Sequence, residues 1–235
     1  ILDCDATGGA YQTGKNPAFQ FVGDIMGGYE TPWQQYSWLY YGGGYDAAQE
    51  LYNAQGMQLI GWSIYGQESM SSSKPLAGLE DLKGWKFRSP PGMETEIFDE
   101  LGATPIVMDF TEIFTALETG IIDGADASGL ANNVGLGIYD IVKHATYPGF
   151  HSMPSDHLQK LSFHVALSNE KANAEAAAEL TANGVTLYDW SAEDRAAFRK
   201  GAQVAWDDWG TRSPEAAAIL ASHKTYMTQL GLLSE

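Results

Sequence analysis

The chain has 235 residues, enough for one large domain or two small ones with buried cores. Hydrophobic residues make up 44% and charged residues 18%, a globular balance that excludes a disordered chain. Thirty Asp and Glu against 13 Lys and Arg leave a net charge of -17, which repels nucleic acid and anionic lipid, and any anion site must therefore carry its own local positive charge.

Apolar Val22–Met26 predicts a short strand. Pro32 to Asn53 is aromatic-rich and helical, broken by Gly42-Gly43-Gly44, which lacks the spacing of a dinucleotide-binding loop and fits a bend or close helix packing. Gln58–Tyr65 predicts a buried strand, and Glu68–Gly78, with its serine run and Pro75, a loop. Trp85–Ser89 predicts a strand, Met93–Leu101 a helix stopped by Gly102, and Thr104–Met108 a strand. Asp109 or Thr111 caps a helix over Glu112–Thr119, stopped by Gly120.

Short strands are expected at Ala125–Ser128 and Ala145–Tyr147, and an alternating strand at Leu158–Leu167 that carries His164. The rest reads as helix: Lys171–Ala182, then Ser191 capping a helix to about Trp209, then Pro214 opening a helix toward Leu230. Alternating strand and helix predict an α/β fold with a helical C-terminal extension. No apolar run approaches the ~20 residues of a membrane span.

Catalytic signatures are missing: no G-x-S-x-G, no H-E-x-x-H, no P-loop and no C-x-x-C. The histidines at 144, 151, 157, 164 and 223 share no metal-ligand spacing, and Cys4 has no supporting nucleophile motif.

Four ordered motifs stand between residues 79 and 124. They are Leu79-Glu80-Asp81-Leu82-Lys83-Gly84-Trp85-Lys86-Phe87-Arg88, Leu101-Gly102-Ala103-Thr104-Pro105, Glu112-Ile113-Phe114-Thr115-Ala116-Leu117 with Gly120, and Ile122-Asp123-Gly124. In order and spacing they resemble the DctP-type solute-binding proteins of TRAP transporters. Trp38 to Gly44, Gly135 to Tyr139 and Tyr147 to His151 narrow the resemblance to the branch that binds 2-oxo and 2-hydroxy monocarboxylates with a metal ion.

The resemblance implies a two-lobed periplasmic binding protein fold: lobe I from 1–63 and 153–205, lobe II from 64–152, and residues 206–235 as a C-terminal helix that joins two protomers in a homodimer. It also places Ile1 well inside the family's first lobe, so that the N-terminal third is expected to be missing. The implied function is binding without catalysis: a small monocarboxylate ligand taken up in the periplasm and passed to a TRAP membrane permease. A metal-dependent α/β enzyme acting on 2-oxo acids is the alternative.

Residue by residue, the resemblance puts the ligand's carboxylate on Arg88, whose fork of donors suits a bidentate pair. Gln67 and Asp126 fall on metal-ligand positions, with the carbonyl of Ala127, where that branch has Trp, and with His151 near the cleft. Oxygen donors suit a hard cation, Ca²⁺ ahead of Na⁺. Tyr11, Trp62 and Tyr65 are expected as apolar walls.

Overall fold

The computed structural model describes residues 12–59, 61–64, 66–153, 155–156 and 162–234. It opens with helix α1 (Phe19–Gly23), wholly buried, where the apolar run had read as a strand. A run that short does not separate helix from strand, and packing decided it. Helix α2 (Pro32–Tyr41) starts with Pro32 at its first position, and the Thr31 side chain accepts from the Gln34 amide. Helix α3 (Gly44–Ala54) follows after Gly43, which sits at φ 87°.

The glycine triplet serves Trp38. A Cβ on Gly42 would lie 2.6 Å from the Trp38 ring and one on Gly44 2.7 Å from it. The indole is fully buried, and its ring stacks on His223 at 3.5 Å between centroids.

Strand β1 (Ser63–Ile64) realises only the end of the expected strand over 58–65. Strand β2 (Met70–Ser72) lies inside the stretch expected to be a loop, and it is buried. The serine run hid it because its hydroxyls bond inward: Ser71 Oγ meets Tyr139 OH at 2.9 Å, and Trp85 Nε1 donates to Ser72 Oγ at 3.0 Å. Then come β3 (Lys86–Ser89), α4 (Met93–Glu100), β4 (Thr104–Val107), α5 (Ile113–Glu118) and β5 (Gly124–Asp126). Asp109 caps a 3-10 turn leading into α5, and Gly102 and Gly120 take left-handed φ of 85° and 70° as helix stops.

Helices α6 (Leu130–Gly135) and α7 (Ile138–Ile141) precede β6 (His144–Thr146), and β7 (Ser155–Asp156) pairs antiparallel with β1. Helix α8 (Ser162–Ala182) replaces the alternating strand expected over 158–167 wherever that stretch is described. Its Ala-rich continuation carries the helix backward past the alternation. After β8 (Thr186–Tyr188), α9 (Ala192–Gly210) is capped by Ser191, and α10 (Pro214–Gln229) opens on Pro214.

A six-stranded sheet runs β4-β3-β5-β2-β6-β8. Strand β3 is parallel to β4 and β5, β2 is antiparallel to β5 and β6, and β6 is parallel to β8. Two apolar cores flank it. The first joins α1 to α4 with α9 and α10 around Trp38, Trp85, Phe98 and Trp206; the second joins α5 to α7 with Leu180 and Val185. The buried side of α10 (Ala216, Ile219, Leu220, His223 and Met227) lies against α1, α3 and α9 of its own chain. Its apolar stripe is therefore covered without a second protomer.

Candidate functional site

Parallel neighbours β3 and β5 end side by side, with Arg88 in register with Ala125. In parallel sheets, clefts form beyond such carboxyl ends. Arg88 points there: Nη1 donates to the Asp126 carbonyl at 2.7 Å and Nε to the Met108 carbonyl at 3.4 Å. Its guanidinium lies over the Phe110 ring, 5.7 Å from the centroid. Both acceptors are neutral carbonyls, so two strand ends aim the cation without cancelling its charge.

The cleft is a cavity of about 260 Å³. Arg88 is the single Lys or Arg among the described residues lining it, against four carboxyl groups, Asp24, Glu68, Glu94 and Asp126. Asp126 is 1% exposed, and its Oδ2 lies 2.6 Å from Nε2 of fully buried His151. Burial alone would pull His151 down, but the charge and hydrogen bond of Asp126 outweigh it and hold the imidazole above its usual range. Glu94, in the first turn of α4, is held through Oε1 by Ser89 Oγ at 3.0 Å. Burial, then the charges of Asp126 and Glu68, push it well above the ordinary carboxylate range.

Ser152 Oγ stands 2.7 Å from Asp24 Oδ2 and 2.8 Å from Glu68 Oε2. A hydroxyl has one proton, so it can donate to one carboxyl only and must accept from the other, which then carries a proton of its own. Burial raises Asp24 to about 6, offset in part by the Ser152 bond and the Met153 amide. Burial and then the Asp126 charge raise Glu68 to about 8.

Of the residues singled out in the sequence, Arg88, Asp126 and Ala127 line this cavity, with His151 bonded behind Asp126. Gln67 turns the other way. Its Nε2 donates to the Glu30 carbonyl at 2.9 Å, and it lines a separate small cavity with Tyr147 and Glu170. Trp62 belongs to the first core and does not line the cavity. Tyr11 and Tyr65 lie outside the described residues. Sequence reasoning missed Asp24, Glu68, Glu94 and Ser152. Glu68 was one position from the aligned Gln67, and Glu94 stood just past the Arg88 motif; nothing local marked Asp24.

The donors present suit a hard cation in chemistry. Oδ1 of Asp126 is buried with no hydrogen-bond partner, in a cavity that three other carboxyl groups also line. Among the described residues no three His, Cys, Asp or Glu side chains are gathered closely enough to hold a metal by themselves. A bound ion would need further oxygens, such as those of a ligand.

A profile of the bacterial extracellular solute-binding proteins, family 7 (DctP), matches residues 2–162. The chain belongs to this family. A monocarboxylate 2-oxoacid-binding periplasmic protein from Nostoc sp. is 32% identical over 159 residues, which are 63% of this chain and 41% of that protein. The chain thus spans less than half of that relative's length. The crystal structure of a TRAP periplasmic solute-binding protein from Rhodobacter sphaeroides, apo and open, superposes with a TM-score of 0.88 at 33% identity, covering 98% of this chain and 80% of that one. A TRAP protein from Colwellia psychrerythraea, solved with calcium and pyruvate, shares the fold at 22% identity with a TM-score of 0.76, covering 96% of this chain and 76% of that one. The fold is therefore the two-lobed one of TRAP solute-binding proteins. No described helix is long and apolar enough to cross a membrane.

Proposed function

We propose that the protein captures a small 2-oxo or 2-hydroxy monocarboxylate together with a hard cation, Ca²⁺ ahead of Na⁺, in the periplasm and delivers it to a TRAP permease. One observation carries this: a single guanidinium and four carboxyl groups line one cavity. Carboxyl oxygens set around one guanidinium favour a cation that enters with the anion. One carboxylate on the ligand matches one Arg88; a second would have no Lys or Arg to meet among the described lining residues. The Nostoc relative, a monocarboxylate 2-oxoacid-binding protein, supports the same class.

Arg88 would hold and orient the carboxylate through its fork, and Phe110, Pro90 and Met93 would shed water from the ligand's carbon side. Asp126, the Ala127 carbonyl and Glu68 would hold the cation, with His151 orienting Asp126. A cation held there would supply positive charge against the ligand's carboxylate and 2-oxygen. Closure of residues 64–152 against 1–63 and 153–205 would follow from tighter binding in the closed state. The homodimer of the resemblance is part of the proposal, with exposed Val204 on α9 and Leu230 after α10 as the apolar positions left to meet a second copy. A monomeric mass by light scattering at micromolar concentration would remove it.

A second reading rests on the lack of three gathered metal ligands among the described residues. A carboxylate bearing its own ammonium group would satisfy Arg88 and the carboxyls with no metal. Calorimetry with pyruvate and with 2-amino acids, in calcium and in EDTA, tests both. Pyruvate binding lost in EDTA supports the metal-linked 2-oxo acid, while metal-independent binding of an amino acid overturns it.

A further inference from the structure

Gln20 lines the ligand cavity from α1, 6% exposed, and carries no charge. Main-chain groups fix which end of its amide is which. Oε1 accepts from the Met93 amide at 3.4 Å, and Nε2 donates to the Asp24 carbonyl at 3.3 Å. A main-chain N–H only donates and a main-chain carbonyl only accepts, so the amide oxygen and nitrogen do not exchange places. Helix α4 begins at Met93 with no side-chain cap of its own, and Gln20 meets one of the amides left over at its start. Gly92, at φ 131°, makes the room: a Cβ there would lie 2.9 Å from Gln20 Oε1. With its oxygen committed to α4, the side chain has only N–H to offer the cavity. Nε2 carries two protons, and among the described residues one acceptor meets them, the Asp24 carbonyl. A buried donor left without an acceptor costs free energy until something supplies one.

We propose that Gln20 is a specificity determinant: its second N–H receives the 2-oxygen of the monocarboxylate that Arg88 holds, and it turns away a ligand with an ammonium group at that carbon. This rests on the 2-oxo or 2-hydroxy monocarboxylate reading given above. A keto or hydroxyl oxygen accepts a hydrogen bond. An ammonium group only donates, and it would meet a donor that the amide could withdraw only by giving up its bonds to Met93 and Asp24. A site built to hydrogen-bond one polar group rejects the analogue that lacks it, because the buried partner is left unpaired. Arg88 and Gln20 would then read the two halves of the ligand's polar head, the guanidinium its charge and the amide its 2-oxygen.

Calorimetry with pyruvate, propionate and L-alanine in excess calcium, on wild type, Q20M and Q20L, tests this. Propionate is pyruvate without the 2-oxygen, and L-alanine carries an ammonium group in its place. Wild type should prefer pyruvate to either by at least about tenfold, and both variants should lose at least about fivefold of the preference over propionate. A loosened start of α4 would weaken pyruvate and propionate alike, so the ratio reports the proposed contact and not a general loss of packing. A pyruvate-to-propionate ratio within about twofold of wild type in either folded variant overturns the role of Gln20 and leaves the monocarboxylate reading standing. Wild type that binds pyruvate and propionate equally does the same without any variant. Wild type that binds neither overturns the monocarboxylate reading and this inference together.

Discussion

Arg88 meets Asp126 through the main chain: its Nη1 bonds the Asp126 carbonyl at 2.7 Å, while the Asp126 carboxylate turns to His151 at 2.6 Å. The guanidinium and the carboxylate stand in one cavity without forming a salt bridge. Arg88 is left to meet an anion, and Asp126, paired to His151 through Oδ2, keeps Oδ1 without a partner, a relationship suited to a site that takes up an anion and a cation together.

Arg88→Ala is expected to weaken binding of a monocarboxylate such as pyruvate by roughly a hundredfold or more, because a desolvated charge-assisted pair is lost. Arg88→Lys should recover only part of it, since an ammonium lacks the planar fork. Calorimetry with both variants decides; affinity of Arg88→Ala within about threefold of wild type would show that another group holds the carboxylate.

Asp126→Ala should abolish the calcium dependence of ligand binding and leave weak, EDTA-insensitive binding. It should also lower the His151 imidazole, because the charge and hydrogen bond of Asp126 are gone while the burial that pulls it down remains. An NMR titration of His151 alongside the calorimetry separates loss of a cation ligand from general unfolding.

The buried carboxyls give the metal-free protein a pH signature. The folded-state pKa of Asp24 is raised from 3.8 to about 6. Between those values the unfolded chain releases the proton and the folded one keeps it, so folding stability from this group is lost as pH rises, by about 3 kcal/mol in order of magnitude. Glu68, raised from 4.5 to about 8, extends the loss to higher pH. His223 opposes them: buried and held down to about 3, it lowers stability as pH falls below 6.5, where the unfolded chain takes up a proton that the folded one refuses. The difference between wild type and Asp24→Asn isolates the carboxyl. Urea denaturation should show the variant gaining on wild type as pH goes from 4 to 7 in EDTA, with calcium shrinking the gain. Parallel pH profiles for the two proteins would contradict this.

The last helix belongs to the core. Leu220→Ala should cost about 2–4 kcal/mol, as for other buried leucines. Deletion from Pro214 onward should leave a chain that does not fold cooperatively, because α10 covers Trp38 and Phe21 through His223. Thermal and urea unfolding of both variants check this. A truncated chain of undiminished stability would show that α10 serves assembly instead.

Sequence alone determined the α/β class, the α4 and α9 helices with their stops and caps, and Arg88 and Asp126 at strand ends. Those features rest on local signals: capping side chains, glycines at left-handed φ, and motifs whose spacing runs from β3 to β5. The family followed from four such motifs in order. Only the tertiary structure decided that the serine run is a central strand, that 162–167 is helix, and that α10 covers its own chain, because each depends on what packs against the segment. The carboxyl cluster was invisible for the same reason. Asp24, Glu68, Glu94 and Ser152 come from distant segments, and a buried charge looks in sequence like any surface charge until the fold removes its water. Gln67 and Glu68 make the point at its smallest scale: neighbours in the chain, they line separate cavities, and only Glu68 shares the one that holds Arg88.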